Sequence, residues 1–331
     1  MKKALAEADS VLAGAHRGAE LELAEHASVF LTDYEKSGPD GVERIIARAR
    51  ASQWDIESSI PWDHTLPDYE AAAVNDRAGR RSAQELWGVE EWGEWRRHIL
   101  GYTLSQLLHG EQIGILGSAR EVELGQTLDV KTACSLQLVD ETRHAQAVER
   151  YIRDRVGVEY PITGHLSALA SDGLADSRPD ICYIAGQVLV EGVAAAGYAQ
   201  LAESSIDPTL TELLKLLSRD EARHMSFGVI MLEDMLSSLS QAELYERQVY
   251  VYEAMQAVSY RLVPVAVFEH FELDVELMTR RALADPGQER WRAELFSRVV
   301  PTLARIGLLD ANYGWLRERL AKDGVLAAIG W

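Results

Sequence analysis

The sequence contains only two cysteines in 331 residues, and neither belongs to a Cys-x-x-Cys pair. Cys134 and Cys182 therefore predict neither a disulfide framework nor a cysteine-bound zinc ion. Prolines are also scarce, with nine in the chain, and stretches of alternating β-branched residues are rare. Because alanine, leucine, glutamate and arginine dominate instead, the composition favours an all-α protein.

Three further absences limit the partners and the location of the protein. No continuous apolar stretch reaches the roughly 20 residues that a transmembrane helix requires. The N-terminus begins Met1-Lys2-Lys3 and lacks the apolar run of a signal peptide. The formal net charge of −19 at pH 7 argues against nucleic acid as a partner, because that affinity comes from clustered lysines and arginines. We therefore expect a cytoplasmic protein that binds neither nucleic acid nor a membrane.

The sequence does contain helical periodicity, and breaks in it divide the chain into segments. Apolar residues at helical spacing, such as Leu21, Ala24 and Ala27, predict two short helices in the first 50 residues. Gln53 to Asp68 then form an extended segment. Trp54 and Trp62 pin that segment to the surface, or hold it over a pocket entrance. Four long helices follow, and several C-terminal helices come after them. The first long helix begins at about Arg80, the second after the break at Gly125–Thr127, the third runs from about Asp180 to Ser204, and Asp207-Pro208 starts the fourth. We predict one domain, 1–331, composed of N-terminal helices and a wrapping segment (1–79), a helical core (about 95–238) and C-terminal helices (239–331).

One five-residue motif, Asp-Glu-x-Arg-His, occurs twice, at residues 140–144 and 220–224. A lone glutamate lies 30 residues before the motif glutamate in both cases, and a glycine follows that lone glutamate six residues later. The halves 101–156 and 181–236 therefore indicate a duplicated helical hairpin. Two-fold pseudo-symmetry suits a dinuclear site, because each half can supply the same ligands.

The repeated motif has the spacing of a metal site. Glu and His three residues apart lie on one face of a helix, so each motif can direct a carboxylate and an imidazole to one interior point. With two more glutamates they supply the six ligands of a carboxylate-bridged pair of iron or manganese ions, a known pattern of ferritin-like bundles. The predicted metal ligands, which are also the predicted catalytic residues, are Glu111 and His144 (terminal, first ion), Glu191 and His224 (terminal, second ion), and Glu141 and Glu221 (bridging).

Residues beside the predicted ligands have two expected roles. Each motif aspartate, Asp140 or Asp220, is expected to accept a hydrogen bond from a ligating histidine, with Arg143 and Arg223 holding the aspartates. Small residues one turn from the ligands either let the helices approach closely or leave an apolar cavity for a substrate. The candidate pocket residues are Gly114, Ile115, Val148, Ala195, Tyr198 and Phe227.

With these motifs, residues 101–236 resemble the catalytic subunit of bacterial multicomponent di-iron monooxygenases. The stretch from Val190 to Met225 also resembles the small subunit of ribonucleotide reductase and its ligand-binding oxidase relatives. The resemblance implies a ferritin-like four-helix bundle with additional N- and C-terminal helices. It also implies two iron ions, or alternatively a Mn/Fe pair, as the cofactor, with O₂ as co-substrate.

Several positions depart from these families. Ala195 replaces a threonine of the monooxygenases, and Val148 replaces the radical tyrosine of the reductase subunit. The valine and tyrosine that are crosslinked in the ligand-binding oxidases correspond to Gly114 and Gly186. The resemblance therefore implies neither hydroxyl-assisted oxygen activation nor a stable tyrosyl radical by the usual route, and it does not imply that crosslink.

Together these features predict an O₂-activating oxidoreductase, a di-iron monooxygenase or oxidase, for a small, largely apolar organic substrate. Hydroxylation of carbon is the first expectation and N-oxygenation the second. Electrons are expected from an external ferredoxin or reductase, since the chain has no flavin or iron–sulfur motif. The alternative is a radical-generating or metal-storing protein that turns over no organic substrate. The oligomeric state is open, with a homodimer as one option.

Overall fold

A computed structural model describes residues 34–67, 92–176, 178–261 and 263–331, together with residues 29, 31 and 88. Every regular element in these ranges is a helix, and none of the described residues forms a β-strand. The predicted all-α fold class is therefore confirmed. The predicted helix around Leu21, Ala24 and Ala27 lies outside the described residues, as does the predicted helical stretch from Arg80 to Trp87.

The helices before residue 240 include the four long ones. They are α1 (Val42–Ala51), α2 (Ile56–Ser59), α3 (Trp92–Leu124), α4 (Leu128–Tyr151), α5 (Gly164–Ala175), α6 (Pro179–Tyr183), α7 (Glu191–Ser204) and α8 (Pro208–Ser237). Two π-helical segments, Ile152–Val156 and Ile184–Val190, extend α4 and precede α7. The C-terminal helices are α9 (Gln241–Arg261), α10 (Val265–His270), α11 (Val275–Ala284), α12 (Pro286–Glu294), α13 (Val299–Arg305), α14 (Ala311–Lys322) and α15 (Val325–Ala328), with a 3₁₀ turn at Leu295–Ser297.

The long helices pack as two hairpins, α3 with α4 and α7 with α8. The Thr127 hydroxyl accepts a hydrogen bond from the backbone N–H of Val130 and caps α4. Asp207 caps α8 by accepting from the N–H of Thr209, and Pro208 occupies the first turn of that helix. Both helices begin directly after the breaks that the sequence indicates, so the duplicated motif lies on paired hairpins.

The third long helix differs from its prediction. The sequence predicts one uninterrupted helix from about Asp180 to Ser204, but the structure has the wider π-helical turns of Ile184–Val190 in its middle. A π-turn rotates the side chains that follow it relative to an uninterrupted α-helix. Such segments are frequent at functional sites, and this one ends directly before Glu191.

Two large apolar clusters enclose the centre of the hairpins. The larger one joins residues of α4, the π-helical segment, α7 and α8 to C-terminal residues such as Phe296, Val299 and Leu303. The other joins Trp54 and Val148 to leucines of α3 and α8. The C-terminal helices therefore complete the core that surrounds the long helices.

One stretch of the described residues, Pro179–Ser204, is long and apolar enough to cross a membrane, with a mean hydropathy of 1.4 in its most apolar window. However, 78% of that window is buried inside the protein. The stretch packs against α8, α3 and the C-terminal helices, as the innermost helix of a helical protein does.

Candidate metal centre

The six predicted ligand residues lie together between the four long helices. They are Glu111 on α3, Glu141 and His144 on α4, Glu191 at the start of α7, and Glu221 and His224 on α8. None of the six side chains is more than 4% exposed. Residues from four separate helices therefore meet at one buried point.

Their donor atoms form two overlapping groups, in each of which the atoms lie within 4.8 Å of one another. Glu141 and Glu221 belong to both groups. The remaining members are Glu111 and His144 in the first group, and Glu191 and His224 in the second. Two shared carboxylates between two sets of terminal donors are the pattern of a carboxylate-bridged dimetal site.

The Nδ1 atoms of both histidines point into this cluster. His144 Nδ1 lies 3.0 Å from Glu221 Oε1 and 3.3 Å from Glu111 Oε2. His224 Nδ1 lies 2.9 Å from Glu141 Oε1 and 3.0 Å from Glu221 Oε2. Each imidazole thus faces carboxylates from both hairpins.

The chemistry of the donors fits a pair of cations. Burial raises the pKa of both Glu111 and Glu191 to about 8, because a carboxylate without a positive partner is costly inside a protein. Three buried atoms of the cluster, Glu111 Oε2, His144 Nδ1 and Glu221 Oε1, lie close together but not in hydrogen-bond geometry. Carboxylate and imidazole donors of this kind suit iron and manganese, so the residues fit a di-iron or Mn/Fe cofactor.

Each motif aspartate contacts the histidine of the opposite hairpin. Asp220 Oδ2 lies 3.3 Å from His144 Nε2, and Asp140 Oδ2 lies 3.4 Å from His224 Nε2. Burial opposes ionisation of Asp140, but the hydrogen bond from His224 and the charge of Arg223 lower its pKa to about 2. A charged acceptor at Nε2 fixes the proton there and leaves Nδ1 free for a metal.

The arginines and the segment before α2 hold these aspartates in place. Arg223 contacts Asp140 and donates to Asp220 at 2.8 Å, and Arg143 also contacts both aspartates. Trp54 Nε1 donates a 2.7 Å hydrogen bond to Asp220 Oδ2. The sequence predicts that Trp54 pins its segment to the protein, and the structure adds that the contact reaches the aspartate behind His144.

We expect Asp220→Asn to weaken iron binding about 10- to 100-fold, because His144 loses a charged hydrogen-bond acceptor. Competition with a chromogenic ferrous chelator measures this affinity directly. Asp154→Asn is the control, since Asp154 is exposed and pairs with Arg150 and Arg153, away from the metal centre. An unchanged affinity in Asp220→Asn would mean that the carboxylate serves only to hold Arg223 and Trp54.

A chain of amides that the sequence did not reveal links the cluster to Glu121. Gln137 Nε2 donates to Glu191 Oε1 at 3.1 Å and to Glu141 Oε1 at 3.3 Å. Gln187 Nε2 donates to Gln137 Oε1 at 3.0 Å and to Glu121 Oε2 at 2.9 Å. The spacing could have identified Gln137, because it lies four residues before Glu141 and therefore on the same helix face.

Two cavities adjoin the cluster. The inner cavity, about 20 Å³, is bounded by four of the glutamates and by Gln106, Leu107, Gly110, Val190 and Ala194. The second cavity, about 30 Å³, is lined mostly by apolar atoms and extends from Glu191 and Gln137 to a polar end at Arg120 and Glu121, after which it is called the polar cavity. Val190 and Glu191 border both cavities. Each cavity has room for one or two water molecules.

The six candidate pocket residues do not all border a cavity in the structure. Gly114 borders the polar cavity, and a Cβ there would lie 2.5 Å from Glu141 Oε2, so only glycine leaves room for that carboxylate. Tyr198 donates a hydrogen bond to Glu111 Oε1. Ile115, Val148, Ala195 and Phe227 border neither cavity. Val148 and Phe227 pack in apolar clusters, and Ile113 instead of Ile115 borders the polar cavity.

Comparison with known proteins identifies the family. The family model AurF, described as P-aminobenzoate N-oxygenase, matches residues 118–307, which is more than half of the chain and includes both motif copies. A solved structure of an R2-like ligand-binding oxidase mutant with an aerobically reconstituted Mn/Fe cofactor has a TM-score of 0.41 and 14% identity, covering 91% of this chain and 98% of that chain. No curated protein is a significant match.

The family match and the buried cluster agree on an oxidoreductase with a di-iron or Mn/Fe cofactor. The expected relation to the ferritin-like dimetal oxygenases and oxidases is therefore confirmed. This chain belongs to the AurF family of that superfamily.

Proposed function

We propose that this enzyme transfers one oxygen atom from O₂ to the amine nitrogen of a small organic substrate. The observation that carries the proposal is the pair of overlapping donor groups that share Glu141 and Glu221, in a chain matched by the family model of an N-oxygenase. We assign the terminal ligands to Glu111, His144, Glu191 and His224. Glu141 and Glu221, which belong to both donor groups, would bridge the two ions.

When bound, the metal pair supplies the redox chemistry with O₂. The stoichiometry of the reaction requires an external electron donor, because an amine, O₂, two electrons and two protons yield a hydroxylamine and water. The ferredoxin or reductase expected from the sequence fills this role. The chain itself excludes bulk water, since the ligand side chains are almost completely buried.

The inner cavity is the proposed position of the reacting nitrogen. Leu107, Gly110 and Ala194 give it apolar walls beside the four glutamates. Gln137 donates to Glu191 and Glu141 and so fixes the orientation of these carboxylates. Tyr198 orients Glu111 in the same manner from α7.

The test is to load the protein anaerobically with ferrous iron and then add O₂, a chemical reductant and an arylamine such as 4-aminobenzoate. We expect the hydroxylamine or a more oxidised nitrogen product, containing ¹⁸O when ¹⁸O₂ is supplied, by mass spectrometry. Product labelled on a ring carbon would support hydroxylation, the first expectation from the sequence, and would refute N-oxygenation.

A test variant for this reaction is Gly110→Val, because Gly110 borders the inner cavity and a Cβ there meets no atom within 4 Å, so valine should narrow the cavity without displacing a neighbour. We expect full iron loading with loss of amine oxidation. A persistent organic radical or an iron mineral, without oxidised amine, would favour the alternative of radical generation or metal storage.

A further inference from the structure

Glu121 is a buried acid outside the set of metal ligands. It lies on α3, its side chain is 2% exposed, and its Oε2 accepts a 2.9 Å hydrogen bond from the amide of Gln187. Burial raises the pKa of Glu121 to about 8, which favours its protonated form at pH 7. Glu121 therefore holds a proton inside the protein, in a cavity that also reaches the ligand Glu191.

The chain of amides fixes Glu121 relative to the metal centre. Gln187 Nε2 donates to Glu121 and to Gln137 Oε1, and Gln137 Nε2 donates to Glu191 Oε1. An amide side chain donates and accepts hydrogen bonds but does not titrate. The chain therefore holds the two carboxyl groups in place without passing a proton between them. A proton that leaves Glu121 needs another path.

The polar cavity offers such a path, because it contains buried polar atoms without hydrogen-bond partners in the protein. They are Ser118 Oγ, Arg120 Nε and Gln187 Oε1, and none of these residues is more than 5% exposed. Buried polar groups are nearly always satisfied by protein, water or a ligand. The cavity has room for one or two water molecules. Water bound to these atoms would connect Glu121 to Glu191, since both border the cavity.

The polar surroundings occur beside one half of the repeat only. Counted from the repeated ligands, each polar residue of the chain corresponds to a leucine in the other half. The pairs are Glu121 with Leu201, Gln187 with Leu107, and Gln137 with Leu217. Leu107 borders the inner cavity, the proposed position of the substrate. The metal centre therefore has an apolar side for a substrate and a polar side that contains an acid.

Other ionisable groups near Glu121 do not replace it as a proton donor. Burial raises the pKa of the two thiols and the phenol that interact with its charge, which therefore keep their protons at pH 7: Cys134, Cys182 and Tyr183. The remaining charged groups are the ligands Glu141, Glu191 and His224, and the guanidinium of the adjacent Arg120. Arg120 donates to the backbone oxygens of Leu174 and Asp176.

We propose that Glu121 supplies protons for the reduction of O₂ at the metal centre, through water held by Ser118 and Gln187 in the polar cavity. Each O₂ takes up two protons, and both leave in the water that is formed. Glu121 releases its proton to the cavity water, which passes one on at the Glu191 end. The inference rests on O₂ reduction by the proposed enzyme, whichever atom of the substrate is oxidised.

Glu121 must regain a proton from solvent after each transfer. Two half-buried glycines, Gly117 and Gly186, border the cavity. A Cβ at Gly186 would meet Glu121 Oε1, at 3.7 Å, and a Cβ at Gly117 would meet no atom within 4 Å. Neither position places a side chain between Glu121 and the exterior, so solvent has a short route to this carboxyl group.

A role limited to holding Gln187 would require only a hydrogen-bond acceptor at position 121. Glutamine provides such an acceptor, and it is uncharged like a protonated glutamic acid. A purely structural role therefore predicts that Glu121→Gln behaves as the wild type. Proton donation predicts that this variant is defective although its hydrogen bond to Gln187 is kept.

The protonation state is measured without turnover, by infrared spectroscopy of the anaerobic protein loaded with ferrous iron. A protonated carboxyl group has a C=O stretching band that is separate from the amide bands and shifts in D₂O. We expect this band at pH 7, its loss as the pH rises through the pKa of Glu121, and its absence in Glu121→Gln. No band in the wild type, or an identical band in Glu121→Gln, would overturn the proposal.

Stopped-flow mixing of the ferrous protein with O₂ measures the contribution to the rate. We expect Glu121→Gln to react about 100-fold more slowly at unchanged iron content, as the loss of a positioned proton donor does. The wild-type rate should fall as the pH rises through the pKa of Glu121, because the donor loses its proton, and Glu121→Gln should lack this fall. A wild-type rate and pH profile in Glu121→Gln would overturn the proposal.

Three further variants separate the acid from its surroundings. Glu121→Asp, which keeps an acid, should retain part of the rate that Glu121→Gln loses. Ser118→Val, which replaces the hydroxyl group by a methyl group, should slow the reaction but keep the infrared band. Glu149→Gln is the control, since Glu149 is exposed on α4 and pairs with Arg153. Equal rates in Glu121→Asp and Glu121→Gln would contradict proton donation.

The outcomes distinguish this proposal from the proposed function. Hydroxylation of carbon also takes up two protons for each O₂. A product labelled on carbon, together with a slow, pH-independent Glu121→Gln, would refute N-oxygenation and support the proton donor. Oxidised amine formed at equal rates by the wild type and Glu121→Gln would support N-oxygenation and refute the proton donor.

Discussion

Glu141→Ala should lose both metal ions, whereas Glu111→Ala should lose mainly one. Glu141 belongs to both donor groups and Glu111 to only one of them, so the first substitution removes a ligand from each ion. We expect iron content to fall from two per chain to near zero in Glu141→Ala and to about one in Glu111→Ala. Turnover should be lost in both, because the proposed reaction needs the pair.

The measurement is iron content by plasma mass spectrometry after anaerobic loading and desalting. Glu149→Ala, an exposed glutamate on the same helix α4, is the matched control and should bind two ions. Carboxylates without their cations destabilise a buried site. The melting temperature of the iron-loaded protein should therefore be lowest for Glu141→Ala and intermediate for Glu111→Ala. Two retained equivalents in Glu141→Ala would refute the assignment of a bridging ligand.

Gly228→Ala should destabilise the protein, although alanine is the better helix former. A Cβ at Gly228 would lie 2.2 Å from Gln187 Cβ and 3.5 Å from its Cα, so α8 and the π-helical segment would have to move apart. We expect a loss of about 1–3 kcal/mol in the free energy of unfolding. The shift of Gln187 should also loosen its hydrogen bond to Gln137.

Gly197→Ala is the matched comparison, since both glycines lie inside long helices. A Cβ at Gly197 would meet only the flexible ends of Leu295 and Leu107, at 3.6 and 3.9 Å. Removing a mid-helix glycine should then raise stability by up to about 1 kcal/mol. Urea unfolding of the metal-free proteins measures both changes, and equal free energies for the two variants would contradict the close packing at Gly228.

The sequence was sufficient to predict which residues meet at the centre. Glu141 and His144 share a helix face whatever surrounds the helix, because the three-residue spacing fixes their relative direction. The starts of the helices at Leu128 and Pro208 were predictable for the same reason, because a capping side chain acts on the turn that directly follows it. Features set by a few neighbouring residues are therefore readable from the chain alone.

The cavities were not predictable in this way. Ile113 and Ile115 are both near Glu111, but they point about 200° apart around the helix, and only Ile113 borders the polar cavity. Val148 and Phe227 lie one turn from ligands, yet side chains of other helices fill the space around them. Where space remains depends on tertiary packing, which periodicity does not encode.

Long-range contacts were also beyond the sequence. Trp54 and Asp220 are 166 residues apart, and Gln187 and Glu121 are 66 apart. The π-helical turns before Glu191 add a local reason, because they rotate Gln187 relative to the ligand and leave no mark in the hydrophobic pattern.

The crossed pairs of aspartate and histidine bear on how such a chain could arise. His144 of the first hairpin relies on Asp220 of the second, and His224 relies on Asp140 of the first. A single ancestral hairpin could satisfy its own histidine only by associating with a second copy of itself. The present chain then corresponds to two fused copies of a self-associating unit, whose halves became free to diverge once one gene encoded both.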